Sequence, residues 1–381
     1  MGPAIECFLV ALRLGLTSFG GPVAHIGYFR EEYVTRRKWV GEDRFGELMS
    51  LTQFIPGPGS SQLGAAIGYE RAGLAGAFAA WLGFTLPSAV FLVLVALGMG
   101  DLSGEGATGA LTGLKLIAIA VLAGALMGMR RSLAPDFKRL AFATIAVVVL
   151  WFFPTPWVTL VTIIGGGIAG ALLLEGEHAK AIQTPSRSGP LGWLALILFA
   201  ILLAFAAGHP SPLAGMYRAG SLVFGGGHVV LPLLQESMVQ GGHISQEVFL
   251  GGYGATQAVP GPVFTFGAFL GAKSNLLDNP LLGAPAALVA IFLPGMLLLG
   301  GTMKIWSRLR RLSWSGPAVR GANATVVGVL AVALLRMATD GTIQGWGNAL
   351  AVVLLFGVLR LKILPVWALV ILSAFAGAIF S

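Results

Sequence analysis

Long stretches of this chain contain no Asp, Glu, Lys or Arg, and this feature constrains the fold more than any other. No such residue occurs within residues 72–100, 140–174 or 188–217. An apolar stretch of about 20 residues is long enough to cross a bilayer as a helix. Charged residues make up only 10% of the 381 residues, whereas soluble domains contain about a quarter. The sequence therefore predicts an all-α, polytopic membrane protein and excludes a soluble globular protein, a disordered chain and a nucleic-acid-binding module.

The chain lacks the sequence features of a cofactor site or an enzyme. Its one cysteine, Cys7, excludes an internal disulfide and a cysteine-based metal site. No Walker A motif, no histidine–carboxylate cluster with metal-ligand spacing and no nucleophile motif occurs. We therefore expect no cofactor, no metal, no enzymatic activity and no ATP-driven transport within this chain.

The chain contains an internal repeat, which is clearest in the string Thr-Gln-x-x-Pro-Gly-Pro at residues 52–58 and 256–262. Further residues align with a shift that is one residue larger: Arg13, Gly20, Gly21 and Glu31 with Arg218, Gly225, Gly226 and Glu236. We predict an N-terminal repeat (1–174), a polar cytoplasmic linker (175–190) and a C-terminal repeat (208–381). The apolar segment 191–207 has no counterpart in the first half and is predicted to be one extra central helix.

Lysine and arginine follow opposite patterns in the two halves. The segment 30–44 contains five basic residues and its counterpart 235–247 contains none, whereas 100–112 contains only acidic charges and its counterpart 304–320 contains five basic residues. Because basic loops are retained in the cytoplasm, we predict two repeats of inverted topology, with the N-terminus inside and the C-terminus outside. Such repeats are typical of secondary transporters.

The inversion requires that some segments break and turn back inside the membrane. We expect broken or re-entrant helices at both Gly-Gly pairs and at both Pro-Gly-Pro strings, because irregular backbone at membrane depth is tolerated only within protein or beside a water-filled cavity. Full crossings are then predicted near 74–99, 113–129, 140–153, 157–174, 191–207, 284–303, 321–337, 346–358 and 365–380.

The duplicated breaks predict an anion site, because the free N–H groups at a new helix start carry partial positive charge. The predicted substrate-binding residues are Arg13, Gly20, Gly21, Thr52, Gln53, Gly57, Gly59, Ser60, Ser61, Arg218, Gly225, Gly226, Thr256, Gln257 and Gly261. A simple proline kink is the alternative for one Pro-Gly-Pro string, but its duplication favours a site. For Arg13 and Arg218 the alternative is snorkelling towards the membrane surface.

Three titratable residues are predicted to couple transport to protons. His25 lies between the helix that contains Arg13 and the carboxylate Glu31, a position that suits a proton relay. Glu31 is duplicated as Glu236. The alternatives are a structural hydrogen bond for His25 and pairing with the nearby arginines for Glu31.

The first-half motifs resemble a known family. Residues 18–25 (Ser-Phe-Gly-Gly-Pro-Val-Ala-His), followed by Glu32-Tyr33-Val34 and Arg36-Arg37-Lys38-Trp39, resemble the signature of the chromate ion transporter family, as do residues 53–58 followed by Gly68-Tyr69. The resemblance covers both halves, as in the long-chain, two-domain members. It implies a multi-pass carrier in the bacterial inner membrane that exports chromate in exchange for protons. The second half departs from the pattern, since Gly227 replaces Pro22 and the basic run is missing.

The expected partners are chromate or a similar oxyanion, protons and membrane lipid, but not nucleic acid, and a homodimer is compatible with the pattern. A carrier for sulfate or another tetrahedral oxyanion is the main alternative. A passive channel is disfavoured because inverted repeats with broken helices suit alternating access.

Overall fold

A computed structural model describes residues 2–99, 105–175, 190–224, 227–274, 276–309, 312–339, 343 and 345–380. The described residues form helices joined by short turns, with no strand among them. Five of the described helices are long and apolar enough to cross a membrane: Gly59–Gly98, Thr108–Leu133, Leu191–Gly208, Pro280–Thr302 and Ser315–Thr339. The predicted all-α polytopic membrane protein is confirmed. Gly225, Gly226, residues 176–189 of the linker, and the basic residues Arg310 and Arg311 lie outside the described residues.

The first half consists of α1 (Pro3–Thr17), α2 (Gly21–Phe29) with the π-helix Arg30–Arg36 that continues it, α3 (Glu42–Phe54), α4 (Gly59–Gly98), α5 (Glu105–Leu133), α6 (Phe137–Phe152) and α7 (Pro156–Leu173). Polar side chains cap the last two: Asp136 accepts a hydrogen bond from the Arg139 N–H, and Thr155 accepts one from the Val158 N–H. Each cap satisfies a backbone donor that has no partner inside the helix.

The second half consists of α8 (Pro190–Gly208), α9 (Pro212–Leu222), a 3-10 turn (Gly227–Val229) that runs into α10 (Val230–Met238), α11 (Gln246–Thr256), a 3-10 turn (Val263–Thr265) that runs into α12 (Phe266–Lys273), α13 (Pro280–Thr302), α14 (Trp306–Leu309), α15 (Ser315–Thr339), α16 (Gly345–Leu361) and α17 (Val366–Phe380). Helix α8 covers the segment that was predicted to be an extra central helix. Helices cover the other predicted crossings too; α5 begins eight residues and α15 six residues before the predicted start.

The chain reverses direction within α4. Ala72 and Gly73 have non-helical backbone angles, and Gly73 has φ 63°. Residues 68 and 76 would lie about 12 Å apart along a straight helix. Instead, a Cβ atom added to Gly68 would lie 2.4 Å from the Gly76 carbonyl oxygen. Thus α4 is a helical hairpin of two limbs. The helices α12 and α13 form a similar hairpin, in which a Cβ on Gly271 would lie 2.3 Å from the Gly283 oxygen.

Helices of the two halves pack against each other in a crossed pattern. Helix α5 packs on α17 through Gly113, where an added Cβ would overlap the Ser373 carbonyl oxygen. Helix α7 packs on α15 through Gly166, where an added Cβ would overlap the Thr325 hydroxyl. Glycines allow such close approach between membrane helices. The halves therefore share one core, while the inverted orientation of the repeats stays a prediction.

Candidate functional site

The helices are interrupted at the predicted positions. Helix α1 ends at Thr17 and α2 begins at Gly21, while α3 ends at Phe54 and α4 begins at Gly59. In the second half, α11 ends at Thr256 and the following 3-10 turn begins at Val263. The central glycines of the two Pro-Gly-Pro strings have left-handed backbones, with φ 127° at Gly57 and φ 99° at Gly261. Glycine is required there because other L-residues rarely adopt such angles.

Two reciprocal backbone hydrogen bonds join the interruptions of one half to those of the other. The Gly57 N–H donates to the Val223 carbonyl oxygen at 2.7 Å, and the Gly261 N–H donates to the Ser18 carbonyl oxygen at 3.0 Å. Because Gly57 aligns with Gly261, and Ser18 with Val223, the second bond repeats the first with the halves exchanged. Each Pro-Gly-Pro string is therefore held against the chain two residues before the Gly-Gly pair of the opposite half.

A cavity of about 390 Å³, which we name the anion cavity, lies where these interruptions meet. The first turns of four helical segments line it: α2, α4 and the two 3-10 turns that run into α10 and α12. Helices α3, α5 and α15 complete the wall. The lining includes Pro22, His25, Thr52, Gln53, Gly57, Pro58, Gly59, Ser60, Ser132, Gly227, Val263 and Asn323.

The wall of the anion cavity contains several polar groups and, among the described residues, no Asp, Glu, Lys or Arg. The free N–H groups of the four first turns carry partial positive charge, whereas the ends of α3 and α5, which also reach the cavity, carry partial negative charge. The hydroxyl of Ser60 and the amides of Gln53 and Asn323 add neutral hydrogen-bonding groups. The described wall therefore offers hydrogen-bond donors to a ligand but no fixed charge.

Several buried polar atoms at or beside the cavity have no hydrogen-bond partner in the structure. They include Ser18 Oγ, His25 Nδ1, Ser61 Oγ and Asn323 Oδ1. The other ring nitrogen of His25, Nε2, lies 3.2 Å from the Ser18 carbonyl oxygen. It donates a hydrogen bond to that oxygen in the tautomer that is protonated at Nε2. Because a buried polar atom is costly without a partner, these groups are suited to meet a ligand or its water.

The structure brings together most of the uncharged residues that were predicted to bind substrate. Thr52, Gln53, Gly57, Gly59 and Ser60 line the anion cavity, as does His25. Gly20 and Gly21 lie at the start of α2, Ser61 in the first turn of α4, and Gly261 in the reciprocal hydrogen bond. Thr256 and Gln257 precede the second Pro-Gly-Pro string and do not line the cavity; the Thr256 hydroxyl donates to the Gly252 oxygen at 2.9 Å.

The structure does not bring the predicted charged residues to the anion cavity. Arg13 is exposed on α1, because the neighbouring Leu14 and Gly15 face the core and Gly15 packs against α4. Glu31 is exposed on the π-helix. Arg218 and Glu236 line a different cavity. The predicted roles of these four residues in substrate binding and proton coupling therefore do not depend on contact with the anion cavity.

Two polar residues of this region were missed. Gln62 is fully buried, and its Nε2 donates to the carbonyl oxygens of Pro56 at 3.0 Å and Gly295 at 2.9 Å. It thereby ties the first Pro-Gly-Pro string to α13. Asn323 lies on α15, within the predicted crossing 321–337. Each is a polar amide within a membrane segment, and such residues in a sequence indicate a functional site.

The fold and the cavity define a class: a multi-pass helical membrane protein with an uncharged cavity where interrupted helices meet. The profile of the chromate transporter family matches residues 5–171 and 210–378, so this chain belongs to that family. The two matched regions coincide closely with the two predicted repeats.

Three relatives illustrate the similarity. A chromate transport protein of Pseudomonas aeruginosa is 29% identical over 76% of this chain and 70% of its own length. A probable chromate transport protein of Synechococcus elongatus is 27% identical over 97% of this chain and 93% of its own. A chromate transport protein of Cupriavidus metallidurans is 27% identical over 92% and 86%. No solved structure matches this chain.

Proposed function

We propose that this protein is a secondary carrier for chromate and that the anion occupies the anion cavity. The names of two relatives that cover most of the chain support the substrate. The observation that carries the proposal is the convergence of four helix starts on one uncharged polar cavity.

Four helix starts offer free backbone N–H groups to an anion. The uncharged groups of Gln53, Ser60 and Asn323 can replace part of the hydration shell of the anion. An anion held by N–H groups and dipoles, without a permanent counter-ion, is also able to leave, which transport requires. We therefore leave Arg13 out of the proposed site.

The reciprocal hydrogen bonds at Gly57 and Gly261 support alternating access. Each bond joins a broken segment of one half to the other half, so movement of one half against the other opens the anion cavity to one side at a time. We propose that the carrier lies in the bacterial inner membrane and exports chromate from the cytoplasm while protons move inwards.

Anion binding at the start of α4 is tested with two substitutions of similar size. In Ser60→Asp a carboxylate occupies the position of the anion, and like charges 4 Å apart repel by about 4 kcal/mol at an effective dielectric of 20. We expect chromate binding to the purified protein to weaken at least a hundredfold, that is by about 2.7 kcal/mol or more. Ser60→Asn is neutral and should retain measurable binding. Equal affinities of the two variants would place the anion elsewhere.

Transport class, substrate and direction are tested in proteoliposomes and in inside-out membrane vesicles. A carrier shows counterflow, in which unlabelled chromate on one side accelerates labelled chromate from the other, whereas a channel does not. Export in exchange for protons requires inside-out vesicles with an acidic lumen to accumulate chromate. Accumulation of sulfate but not chromate would favour the alternative, a carrier for another tetrahedral oxyanion.

A further inference from the structure

A second polar region, which we name the Glu236 chamber, lies apart from the anion cavity. It consists of one cavity of about 520 Å³ beside Arg218 and His209 and one of about 140 Å³ beside Thr159 and Arg336, and Glu236 lines both. The chamber shares no lining residue with the anion cavity. Glu236 is the only acidic residue among the described residues that line it.

The Glu236 carboxyl is flanked by cations but not paired with them. Its Oε1 is buried without a hydrogen-bond partner, and the Thr159 hydroxyl, which donates to the Thr155 carbonyl oxygen at 3.2 Å, lines the same cavity. Arg218 instead donates to the carbonyl oxygens of Ala206 and His209. Arg336 donates to the carbonyl oxygens of Leu150 at 2.8 Å and Trp151 at 3.1 Å. A carboxyl without an ion pair in a partly dry site can exchange a proton without first breaking a salt bridge.

The described residues that line the chamber provide no second carboxyl group. Towards Glu236, α9 contributes Arg218, α15 contributes Arg336, α7 contributes Thr159, and the turn after α8 contributes His209. Helix α11 contributes the amide of Gln246, and α10 itself adds Gln235, Ser237 and Gln240. Among the described residues, Glu236 is therefore the only carboxyl group of the chamber that can bind a proton.

Electrostatics argues against a proton-binding group inside the anion cavity. A protonated His25 beside a bound dianion would strengthen its binding, because opposite charges attract. Exchange of chromate for protons requires that proton binding weakens anion binding, since the proton and the anion must occupy the carrier in different states. A proton site at a distance meets this requirement when a shared structural element connects it to the anion site.

Helix α10 is such an element. The 3-10 turn that begins at Gly227, which lines the anion cavity, runs directly into α10, and Glu236 lies near the other end of that helix. Helix α9, which carries Arg218, ends next to Val223, and the Val223 oxygen accepts the hydrogen bond from Gly57. A change of charge in the chamber therefore acts on two helices that border the anion cavity.

We propose that Glu236 is the proton-binding group of this carrier. Its carboxylate takes up a proton from the predicted outer side, where segment 235–247 has no basic residue, and its protonation state acts on the anion cavity through α9 and α10. This inference rests on the proposed function. The carboxylate gains one proton outside and loses the same proton inside, while chromate moves in the opposite direction.

The test compares wild-type protein with Glu236→Gln, which keeps the size of the side chain and removes its proton. Glu247→Gln is the matched control, because Glu247 is an exposed carboxyl at the start of the next helix. Three measurements are made in liposomes: the carboxyl signal in acid-minus-alkaline infrared difference spectra without chromate, chromate counterflow at equal pH, and chromate accumulation against its gradient under a pH gradient.

We expect Glu236→Gln to lose one carboxyl signal, to retain counterflow, and to accumulate no more chromate with a pH gradient than without it. The Glu247→Gln control should retain proton-driven accumulation. Full proton-driven accumulation by Glu236→Gln would overturn the proposal, and so would loss of counterflow, which would assign Glu236 to movement of the anion. Absence of chromate counterflow in the wild type would refute the proposed function instead, and the infrared spectra would still test Glu236 for any other anion.

Discussion

At the scale of single residues, the first Pro-Gly-Pro string has no room for a side chain on its glycine. Gly57 has φ 127°, and a Cβ there would lie 2.7 Å from Gln62 Nε2 and 3.0 Å from Gly295 Cα. We expect Gly57→Ala to destabilise the protein by about 1–3 kcal/mol, the range for overpacked sites, and to weaken chromate binding. Thermal unfolding in detergent and binding measurements check both effects.

Gly27→Ala provides the control for this substitution. Gly27 lies within α2, and an added Cβ would have no atom within 4 Å. Its unfolding temperature should equal or exceed that of the wild type, because alanine favours helix more than glycine does. Identical unfolding temperatures of Gly57→Ala and Gly27→Ala would show that the first Pro-Gly-Pro string is not held as tightly as its contacts indicate.

At the scale of elements, an ion-pair network joins α1, the π-helix and the reversal of α4. Arg37 Nη1 lies 3.1 Å from Glu6 Oε1, and Arg37 Nε lies 2.7 Å from Glu32 Oε1. Arg71, next to the reversal at Ala72, lies 3.0 Å from the other oxygen of Glu6. The network thus fixes these three elements at one end of the molecule.

The network predicts a pH dependence of stability. Burial alone would raise the pKa of Glu32, but the hydrogen bonds and charges of Arg37 and Arg36 hold it below its ordinary value of 4.5. A carboxyl whose pKa is lowered in the folded state stabilises the protein above its unfolded pKa, and this contribution disappears as the pH falls through the folded pKa. We expect the unfolding temperature of the wild type to fall more steeply below pH 4.5 than that of Glu32→Gln.

Glu31→Gln serves as the control, because Glu31 is exposed on the same π-helix. Its unfolding curve should follow the wild type across the pH range. If Glu32→Gln and the wild type lost stability in parallel below pH 4.5, another carboxyl would carry the acid sensitivity.

Helix breaks could be predicted from the sequence, but the rotation of each helix could not. Apolar runs and glycine–proline punctuation mark helices and breaks directly, so the interruptions at 18–20 and 55–58 were predictable. The rotation of α1 was not, because one residue along a helix turns the side chain by about 100°. Leu14 and Gly15 face the core while Arg13 faces outwards. Gln53, Gly227 and Asn323 line one cavity only because the two halves pack together. A local sequence pattern does not predict such packing.

At the scale of the whole molecule, the orientation of the halves is testable with fusion reporters. Reporters at Arg37 and Arg308 should both lie in the cytoplasm, and one at Gly242 should lie outside, because basic segments are retained inside. A cytoplasmic signal at Gly242 would show that the repeats are not inverted.

The crossed packing of the halves is tested on adjacent glycines of α7. A Cβ on Gly166 would overlap Thr325 on α15, whereas one on Gly165 would have nothing within 4 Å. We expect Gly166→Val to reduce the yield and unfolding temperature of folded protein strongly, because membrane helices at such contacts depend on small residues. Gly165→Val should behave as the wild type. Equal yields of the two variants would contradict the packing of α7 on α15.

The crossed packing also determines the order in which helix contacts can form during synthesis. Roughly 230 residues separate the end of α5 at Leu133 from the start of α17 at Val366, against which α5 packs. At a translation rate of about 5–20 residues per second, α5 waits roughly 10–50 s beside lipid before its final neighbour leaves the ribosome. The glycine-lined face of α5 is therefore occupied first by acyl chains and only later by protein, so the last step of assembly is an exchange of lipid for helix.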